Sequence, residues 1–207
     1  MRTRIAIHGS RGRLGQLIKA EAGADFVGAV ERDGAIPECD VVIDVSSAAG
    51  VASLIERLSG QPLLIGTTGE LPMDVIEAYS QRAPVAVVPN FSTGVSLLLQ
   101  LIQQAVASMP SEWGVEILEA HHDQKKDAPS GTALRMARAV EEAGGPGSPP
   151  THAVRSGDTI GEHTVWLAGP GERIEIKHVA TKRTVFAIGA LRWAAWLREQ
   201  QPGLYRP

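Results

Sequence analysis

The sequence predicts an α/β fold in which an N-terminal, doubly wound parallel sheet is joined to a smaller α+β domain. Three observations support this prediction: short apolar runs alternate with helical segments over residues 3–89, a glycine-rich loop follows the first run, and later strands are longer and partly alternating. Strands covered on both faces read as continuous apolar runs. We therefore expect a first domain at 1–92 and a second at 93–182, with the C-terminal helical segment 183–207 packing back on the first.

The first domain is predicted from strands at 3–8, 26–30, 39–45, 62–66 and 84–89 and from helices at 14–23, 49–59 and 72–82. Leu14, Leu17 and Ile18 repeat at helical spacing, and Gly23 supplies a helix end. Pro72 suits the first position of a helix, where a missing N–H is not needed. Alternating strands and helices connect by right-handed crossovers, which gives a parallel sheet.

The second domain follows a change of pattern. A long apolar helix is predicted at 95–109, a strand at 115–122, a helix at 130–143, a linker at 144–150, and strands at 151–156, 162–168 and 172–180. Polar and apolar residues partly alternate in these last strands, so we expect a mixed or antiparallel sheet with one exposed face. A final helix at 183–199 carries Trp193 and Trp196.

Composition narrows the class of protein. The 207 residues are 43% hydrophobic and 21% charged, with a net charge of −3, which is ordinary for a globular protein. This charge favours neither a nucleic-acid nor a membrane-surface partner. Cys39 is the single cysteine, so no internal disulfide can form. No stretch reaches the roughly 20 apolar residues of a membrane helix, and the N-terminus does not resemble a signal peptide. We expect a cytoplasmic protein.

A glycine loop, HGSRGRLGQ at 8–16, follows the first predicted strand and precedes the first helix. It places Gly9, Gly12 and Gly15 in a GxxGxxG spacing, with Arg11 where GxGxxG has its second glycine. Glycines in this position permit a tight turn and let backbone N–H groups bind a pyrophosphate at the helix N-terminus. The loop predicts a Rossmann-like dinucleotide site; the alternative is a glycine-rich helix-capping turn.

An acid and a base follow the second predicted strand, where dinucleotide folds bind the adenosine ribose. Glu31 stands 16 residues after the last loop glycine and can accept hydrogen bonds from the ribose hydroxyls. Arg32, with Arg11 or Arg13, can instead bind a 2′-phosphate. The pair predicts that both NADH and NADPH are accepted; the alternative is a solvated charge pair.

Two polar turns, GTTG at 66–69 and PNFSTG at 89–94, follow the fourth and fifth predicted strands. The carboxyl ends of parallel strands are where such folds bind their ligands. Hydroxyl and amide groups there could bind the nicotinamide carboxamide. The alternative is that each of the two stretches is simply a polar turn.

The stretch EAHHDQKKDAPSGTA, at 119–133, has the highest density of reactive side chains. Ser130 suits the N-cap of the following helix, and the N–H groups of Gly131 and Thr132 would then be able to bind a carboxylate. Lys125 or Lys126 adds a cation, and the adjacent histidines add donors. The stretch predicts a site for a small dianionic substrate with a built-in proton donor.

Other interpretations of this stretch remain open or are weaker. Two adjacent histidines or two adjacent lysines alone are often ordinary surface residues. Because His121 and His122 point to opposite faces of a strand, they are poorly spaced for a metal, and we expect none. No cysteine lies near to serve as a nucleophile, and Ser130 is better explained as a cap.

The chain resembles the 4-hydroxy-tetrahydrodipicolinate reductase (dihydrodipicolinate reductase) family, as a shortened member. The family motif E-x-HHxxKxDAPSGTA matches residues 119–133, and further blocks match in order: GSRGRLG, VERDG, VIDVSS, GTTGELP, PNFSTGVS, RSGDTIGEHTV and GERIEIKHVATKRTVFAIGALRWAAWL. Together they cover nearly the whole chain. The resemblance implies hydride transfer from NADH or NADPH to a cyclic unsaturated imine, giving tetrahydrodipicolinate for lysine and diaminopimelate biosynthesis.

The resemblance also implies residue roles. His121 and Lys125 would transfer protons. The substrate carboxylates would be held by His122, Lys125, Gly131 and Thr132. The cofactor would be held by Gly9, Ser10, Arg11, Gly12, Arg13, Leu14, Glu31, Arg32, Gly66, Thr67, Thr68, Val88, Pro89, Asn90 and Phe91. Family members are commonly homotetramers joined through the sheet of the second domain, which implies a homo-oligomer here.

The chain departs from the family pattern in a few places. It is shorter between VERDG and CDVVIDV, and GGPGSPPTHA replaces a longer loop and strand before the RSGD block. VIDVSS lacks an aromatic-threonine pair, and Lys126 stands where a small apolar residue is frequent. Two other functions are therefore weighed: a non-catalytic NAD(P)-binding homologue, and a related dehydrogenase such as aspartate dehydrogenase. The retained His121 and Lys125 favour the reductase.

Overall fold

The computed structural model describes residues 2–206. In chain order the elements are β1 (Ile5–His8), α1 (Arg13–Ala22), a 3₁₀ turn (Gly23–Asp25), β2 (Phe26–Val30), β3 (Val41–Asp44), α2 (Ala48–Ile55), β4 (Leu63–Ile65), α3 (Met73–Ser80), β5 (Pro84–Val87), α4 (Thr93–Ser108), β6 (Gly114–His121), α5 (Gly131–Glu142), β7 (Thr151–Arg155), β8 (Glu162–Gly169), β9 (Glu172–Val179), α6 (Thr184–Leu197) and β10 (Gly203–Tyr205).

Backbone contacts divide the chain into two compact units. The first runs from the N-terminus to Ser92 and resumes at Thr184, and the second spans Thr93–Arg183. No helix among residues 2–206 is both long and apolar enough to cross a membrane.

The first unit is a six-stranded parallel sheet in the order β10-β5-β4-β3-β1-β2. Its central strands are apolar up to their carboxyl ends because both faces are covered. Ile7, Ile43 and Leu64 pack toward α1 and α6, while neighbouring residues pack toward α2 and α3. This is the doubly wound architecture that the sequence predicts. The strand order reverses beside β1, which puts a ligand crevice at the carboxyl ends of the strands.

The C-terminal segment and one helix start differ from the prediction. Helix α6 ends at Leu197, and the chain then adds β10 beside β5 through the register Gly203↔Pro84 to Tyr205↔Ala86. Pro72 is the residue before α3, at its N-cap, and not in its first turn.

The second unit is a four-stranded mixed sheet in the order β7-β6-β8-β9. Strand β7 is parallel to β6, and the other two pairings are antiparallel. Alternate residues of β6 and β8, such as Ile117 and Val165, are buried against α4 and α5. The intervening residues, on the face away from α4 and α5, are more exposed, so β6 and β8 alternate as predicted.

Candidate active site

The glycine loop after β1 has a shape that only glycine allows. Gly9 has φ +83°, and a Cβ there would lie 2.6 Å from the Val45 carbonyl oxygen; a Cβ on Gly15 would lie 2.2 Å from the Gly9 carbonyl oxygen. Helix α1 begins after Gly12, and no side chain among the described residues caps it. This tight loop opening an uncapped helix N-terminus fits the pyrophosphate of a dinucleotide.

The charged residues at the end of β2 each have a hydrogen-bond partner, and only Glu31 contacts the glycine loop. The Arg11 guanidinium donates to the Glu31 carboxylate at 2.9 Å, and the Arg32 carbonyl accepts from Arg57 at 2.9 Å. Both side chains of the Arg11–Glu31 pair are largely exposed, so a bound ribose can compete for either of them. The structure thus brings Glu31 next to the loop arginine Arg11, while Arg32 is held through its backbone by Arg57.

A buried carboxylate links the loops at this edge. Asp44, at the end of β3, is fully buried and accepts hydrogen bonds from His8 at 2.6 Å, from the Ser46 hydroxyl at 2.6 Å and from the Thr67 hydroxyl. The Thr67 oxygen also accepts from the Ser46 N–H at 2.9 Å. The glycine loop, the loop after β3 and the loop after β4 are therefore tied to one side chain. An acidic residue ending the apolar run VVID was the available sequence signal.

Two predicted cofactor residues have core side chains. Val88 is fully buried, and Phe91 is 3% exposed with its ring against Gly66, where a Cβ would lie 2.4 Å from the ring. Only the backbones of Val88 and Phe91 can face a ligand. Pro89 and Thr68 are exposed, and the Asn90 side-chain oxygen accepts from the Ser92 N–H at 2.9 Å.

His121 is the last residue of β6 and is held by Glu119, two residues earlier on the same face. The Glu119 carboxylate is completely buried, hydrogen-bonds to His121 Nδ1, and accepts two bonds from the Arg155 guanidinium at 3.0 and 2.8 Å. It also accepts from the Ser130 N–H at 3.1 Å. Arg155 lies directly across from His121, because β6 and β7 pair in register at this point.

The ionisation states follow from these contacts. Burial raises the pKa of Glu119, but the hydrogen bonds from Arg155 and His121 outweigh it, and the pKa lies below its ordinary value. Burial lowers the pKa of His121, and the hydrogen bond to Glu119 offsets this only in part. At neutral pH the site therefore holds an ionised Glu119 and a neutral His121.

Lys125 lies in the loop after β6. Its ammonium pairs with the Asp127 carboxylate at 2.8 Å and holds the pKa of that carboxyl below its usual range. Backbone hydrogen bonds join this loop to the turn after β7. The Asp123 N–H donates to the Gly157 carbonyl at 3.2 Å, and the Ser156 N–H donates to the His121 carbonyl at 2.9 Å. Lys126 is exposed and His122 is half-buried. The structure thus brings Lys125, and not only the histidines, to the end of β6.

The start of α5 completes the cluster. The Ser130 hydroxyl accepts from the Ala133 N–H at 3.2 Å, which confirms Ser130 as the helix cap. Gly131 and Thr132 are the first two residues of the helix. Their position at the positive end of a twelve-residue helix, near the cationic Lys125 loop, suits an anion.

Two further histidines lie beside His121. His163 on β8 is 3% exposed, with its ring edge-on to His121 at 5.1 Å between centroids, and His178 on β9 follows at 6.2 Å. Burial, together with His121 and His178, lowers the pKa of His163 to about 4, so this ring is neutral at neutral pH. Within residues 2–206 no group of three His, Cys, Asp or Glu side chains could hold a metal.

Five residues of these clusters were not predicted from the sequence: Asp44 and His8 in the first unit, and Glu119, Arg155 and His163 in the second. Glu119 stood inside the quoted motif, but its partner Arg155 is 36 positions away, and only the β6–β7 register brings them together. The available sequence signal was Glu119 itself, which stands at a position where the alternation of Val115 and Ile117 predicts an apolar residue.

The dinucleotide-type loop and the acid–base cluster define the chain as an NAD(P)H-dependent oxidoreductase. Residues 3–91 match the family description "Dihydrodipicolinate reductase, N-terminus", and residues 94–206 match "Dihydrodipicolinate reductase, C-terminus". The chain therefore belongs to the dihydrodipicolinate reductase family, as the sequence resemblance predicts.

Relatives and a solved structure agree with this assignment. The 4-hydroxy-tetrahydrodipicolinate reductase of Zymomonas mobilis subsp. mobilis is 36% identical over 98% of this chain and 94% of its own length. That of Methanosarcina acetivorans is 44% identical over 81% of this chain and 71% of its own. Dihydrodipicolinate reductase from Paenisporosarcina sp. TG-14, solved with dipicolinate bound, shares the fold, with a TM-score of 0.77 and 22% identity over 100% of this chain and 98% of its own.

Proposed function

We propose that this protein reduces 4-hydroxy-tetrahydrodipicolinate (dihydrodipicolinate) to tetrahydrodipicolinate with NADH or NADPH, a step of lysine and diaminopimelate biosynthesis. The observation that carries the proposal is the cluster at the end of β6. There a neutral His121, a charged Lys125 and the N-terminus of α5 are drawn from one unit. This combination of groups can bind a dianion and supply a proton. A non-catalytic homologue would not need such a combination.

The substrate carries two carboxylates, and each needs a cationic or N–H donor when it leaves water. His122, Lys125, Gly131 and Thr132 are proposed to provide them. The substrate would then displace the Asp127 carboxylate from its ion pair with Lys125. Because the Asp127 side chain is 59% exposed, water can hydrate the displaced carboxylate. The positive end of α5 adds to the attraction.

Bound NAD(P)H supplies the hydride. Hydride addition to a conjugated imine leaves negative charge on the ring, and one proton at the neighbouring atom neutralises it. Lys125 is the donor in this proposal, because its ammonium forms an ion pair with Asp127, whereas burial lowers the pKa of His121 and leaves its ring neutral. Lys125 is left as an amine and regains its proton from water. When the hydroxylated ring is the substrate, His121 Nε2 accepts the proton from the ring carbon next to the C–OH group and passes it to the departing hydroxide, which leaves as water before the hydride is added.

The cofactor is proposed to lie along the carboxyl edge of the parallel sheet. Gly9 to Leu14 would hold the pyrophosphate, and Glu31 or Arg32 the adenosine ribose or its 2′-phosphate. Gly66 to Thr68 and Val88 to Asn90 would face the nicotinamide end, with Phe91 contributing backbone alone. Because Arg11 bridges to Glu31, opening this pair frees an acid for NADH or a base for NADPH.

We also propose a cytoplasmic location and a homo-oligomer, a tetramer, joined through the face of the second sheet that lies away from α4 and α5. Val154 and Val179 lie on that face and are 49% and 43% exposed. Between these two edge strands, Trp166 Nε1 is buried with no hydrogen-bond partner within residues 2–206. Light scattering on the purified protein tests this: a monomer at working concentration would contradict it.

The activity is tested by supplying the substrate from its aldehyde precursor and pyruvate with the preceding synthase, and following loss of reduced nicotinamide absorbance. We expect turnover with both NADH and NADPH. L-Aspartate with the oxidised cofactors is the control for an aspartate dehydrogenase. Turnover of aspartate, or none with the dicarboxylate, would contradict the proposal.

A further inference from the structure

Glu119 is a buried carboxylate that no step of the proposed reaction uses directly. It shares one face of β6 with His121, since residues two apart on a strand point the same way. An ionised carboxylate at this depth must be fully hydrogen-bonded. Glu119 meets that requirement with donors from three elements: His121 on its own strand, Arg155 on β7 and the Ser130 N–H at the start of α5.

Arg155 makes the arrangement rigid. Its guanidinium bonds both oxygens of Glu119, and its remaining contacts are to the carbonyls of Asp127 and Val154, both at 2.6 Å. A bidentate pair fixes the plane of the carboxylate as well as its position. Because Asp127 belongs to the loop that carries Lys125, the same guanidinium connects the two groups assigned to proton transfer.

We propose that Glu119, clamped by Arg155, is a positioning residue that holds His121 as the Nδ1–H tautomer and stabilises its imidazolium, so that Nε2 alone exchanges protons with the substrate. This inference rests on the proposed function, in which His121 is the proton acceptor. It identifies Glu119 as the group that sets the tautomer and the protonation of His121. Nε2 faces the backbone of Gly161, where a Cβ would lie 3.1 Å away, so the absence of a side chain at Gly161 keeps this nitrogen approachable.

The charges around His121 explain why a carboxylate is needed. Arg155 on β7 and Lys125 in the loop are cations facing the ring, and His163 on β8, with His178 behind it, is a neutral ring in a buried setting. Burial and both cations oppose protonation of His121. Glu119 opposes them, both through its hydrogen bond and through its charge. Without this carboxylate, Nε2 would accept a proton only at much lower pH.

The test compares Glu119→Gln with Glu116→Gln by ¹⁵N NMR of the histidine rings, with the His121 signals assigned by their loss in His121→Gln. Glu116 is the matched control, because it lies on the same strand and bonds His152 Nε2 on β7 at 2.9 Å, but at the surface. We expect wild-type His121 to carry its proton on Nδ1. We expect Glu119→Gln to lower its pKa by about one unit or more, while Glu116→Gln leaves His121 unchanged.

Kinetics supply the second readout. We expect kcat of Glu119→Gln to fall about 10- to 100-fold with KM within about threefold, and the acid limb of the kcat profile to move to lower pH with the His121 titration. If Glu119→Gln is unfolded by circular dichroism, Arg155→Lys replaces it; this variant keeps a cation but loses the bidentate clamp, and we expect a mixture of His121 tautomers.

Two results would overturn the inference: a His121 ring with its proton on Nε2 in the wild type, or a His121 titration that is the same in Glu119→Gln as in the wild type. Both results come from NMR of the His121 ring and do not require the enzyme to turn over. A failure of the proposed reaction is therefore distinguishable from a failure of this inference.

Discussion

His163 makes the second unit sensitive to acid. This imidazole is 3% exposed, and its pKa falls from 6.5 to about 4 because burial, and then His121 and His178, disfavour its charged form. Above pH 6.5 the ring is neutral in both the folded and the unfolded chain and has no effect on stability. Between pH 6.5 and about 4 the unfolded chain binds a proton that the folded chain does not, so stability falls as pH falls.

The magnitude follows from the size of the shift. A difference of roughly 2.5 pKa units corresponds to about 3 kcal/mol of unfolding free energy, lost across that window and not further below it. This is a large part of the roughly 5–15 kcal/mol that stabilises an ordinary domain. In His163→Gln the titrating group is absent, so the difference in unfolding free energy between wild type and variant should change by this amount between neutral pH and about pH 4.

The assay is urea unfolding at a series of pH values, in a background that reports on the second unit. The four tryptophans divide evenly: Trp193 and Trp196 lie on α6 in the first unit, and Trp113 and Trp166 in the second. Replacing the first two with Phe leaves fluorescence from the second unit alone. His152→Gln, which removes an exposed histidine, is the control. An unchanged pH slope in His163→Gln would refute the reasoning.

Three further predictions concern catalysis and cofactor binding. Lys125→Ala should lower kcat by about 100-fold or more, because it removes the charged proton donor, whereas Lys126→Ala should change it less than about twofold; equal losses would refute the choice of Lys125. Thr67→Val should raise the Kd of NAD(P)H about tenfold in a fluorescence titration, because the buried carboxylate it serves loses a donor, and Thr67→Ser should restore most of the affinity; no change in the valine variant would contradict this. Gly161→Ala should lower kcat by crowding His121 Nε2, with the ring titration retained as the control; full activity would show that this nitrogen needs no open approach.

Most strands and helices were predictable because the hydrophobic period alone determines them. The run LLI is wholly apolar and VVID is apolar up to Asp44, and both proved to be central parallel strands. Strand β10 was not predictable, since Gly203–Tyr205 has only three residues and becomes a strand only by pairing with Pro84–Ala86. Its position depends on where the chain lies after α6, which local sequence does not encode.

The site likewise has features that local sequence predicts and features that depend on strand pairing. Ser130 as helix cap, and the placement of Gly131 and Thr132 at a helix start, depend on residues adjacent in sequence and were predicted. The pairing of Glu119 with Arg155 depends on strand register over 36 positions, and no local pattern reports it. The placement of Thr67 near the cofactor stays a prediction, and no local pattern reports the hydrogen bond from its hydroxyl to Asp44, at the end of another strand.

The central claim is that the chain delivers a hydride from a reduced nicotinamide to the ring of a cyclic dicarboxylate. The most direct measurement uses NAD(P)H deuterated at the transferring position, with the synthase-generated substrate, and mass spectrometry of the product. We expect one deuterium in each tetrahydrodipicolinate formed, matched by one cofactor oxidised. Cofactor oxidation without deuterium in the product, or no product with either cofactor, would contradict it.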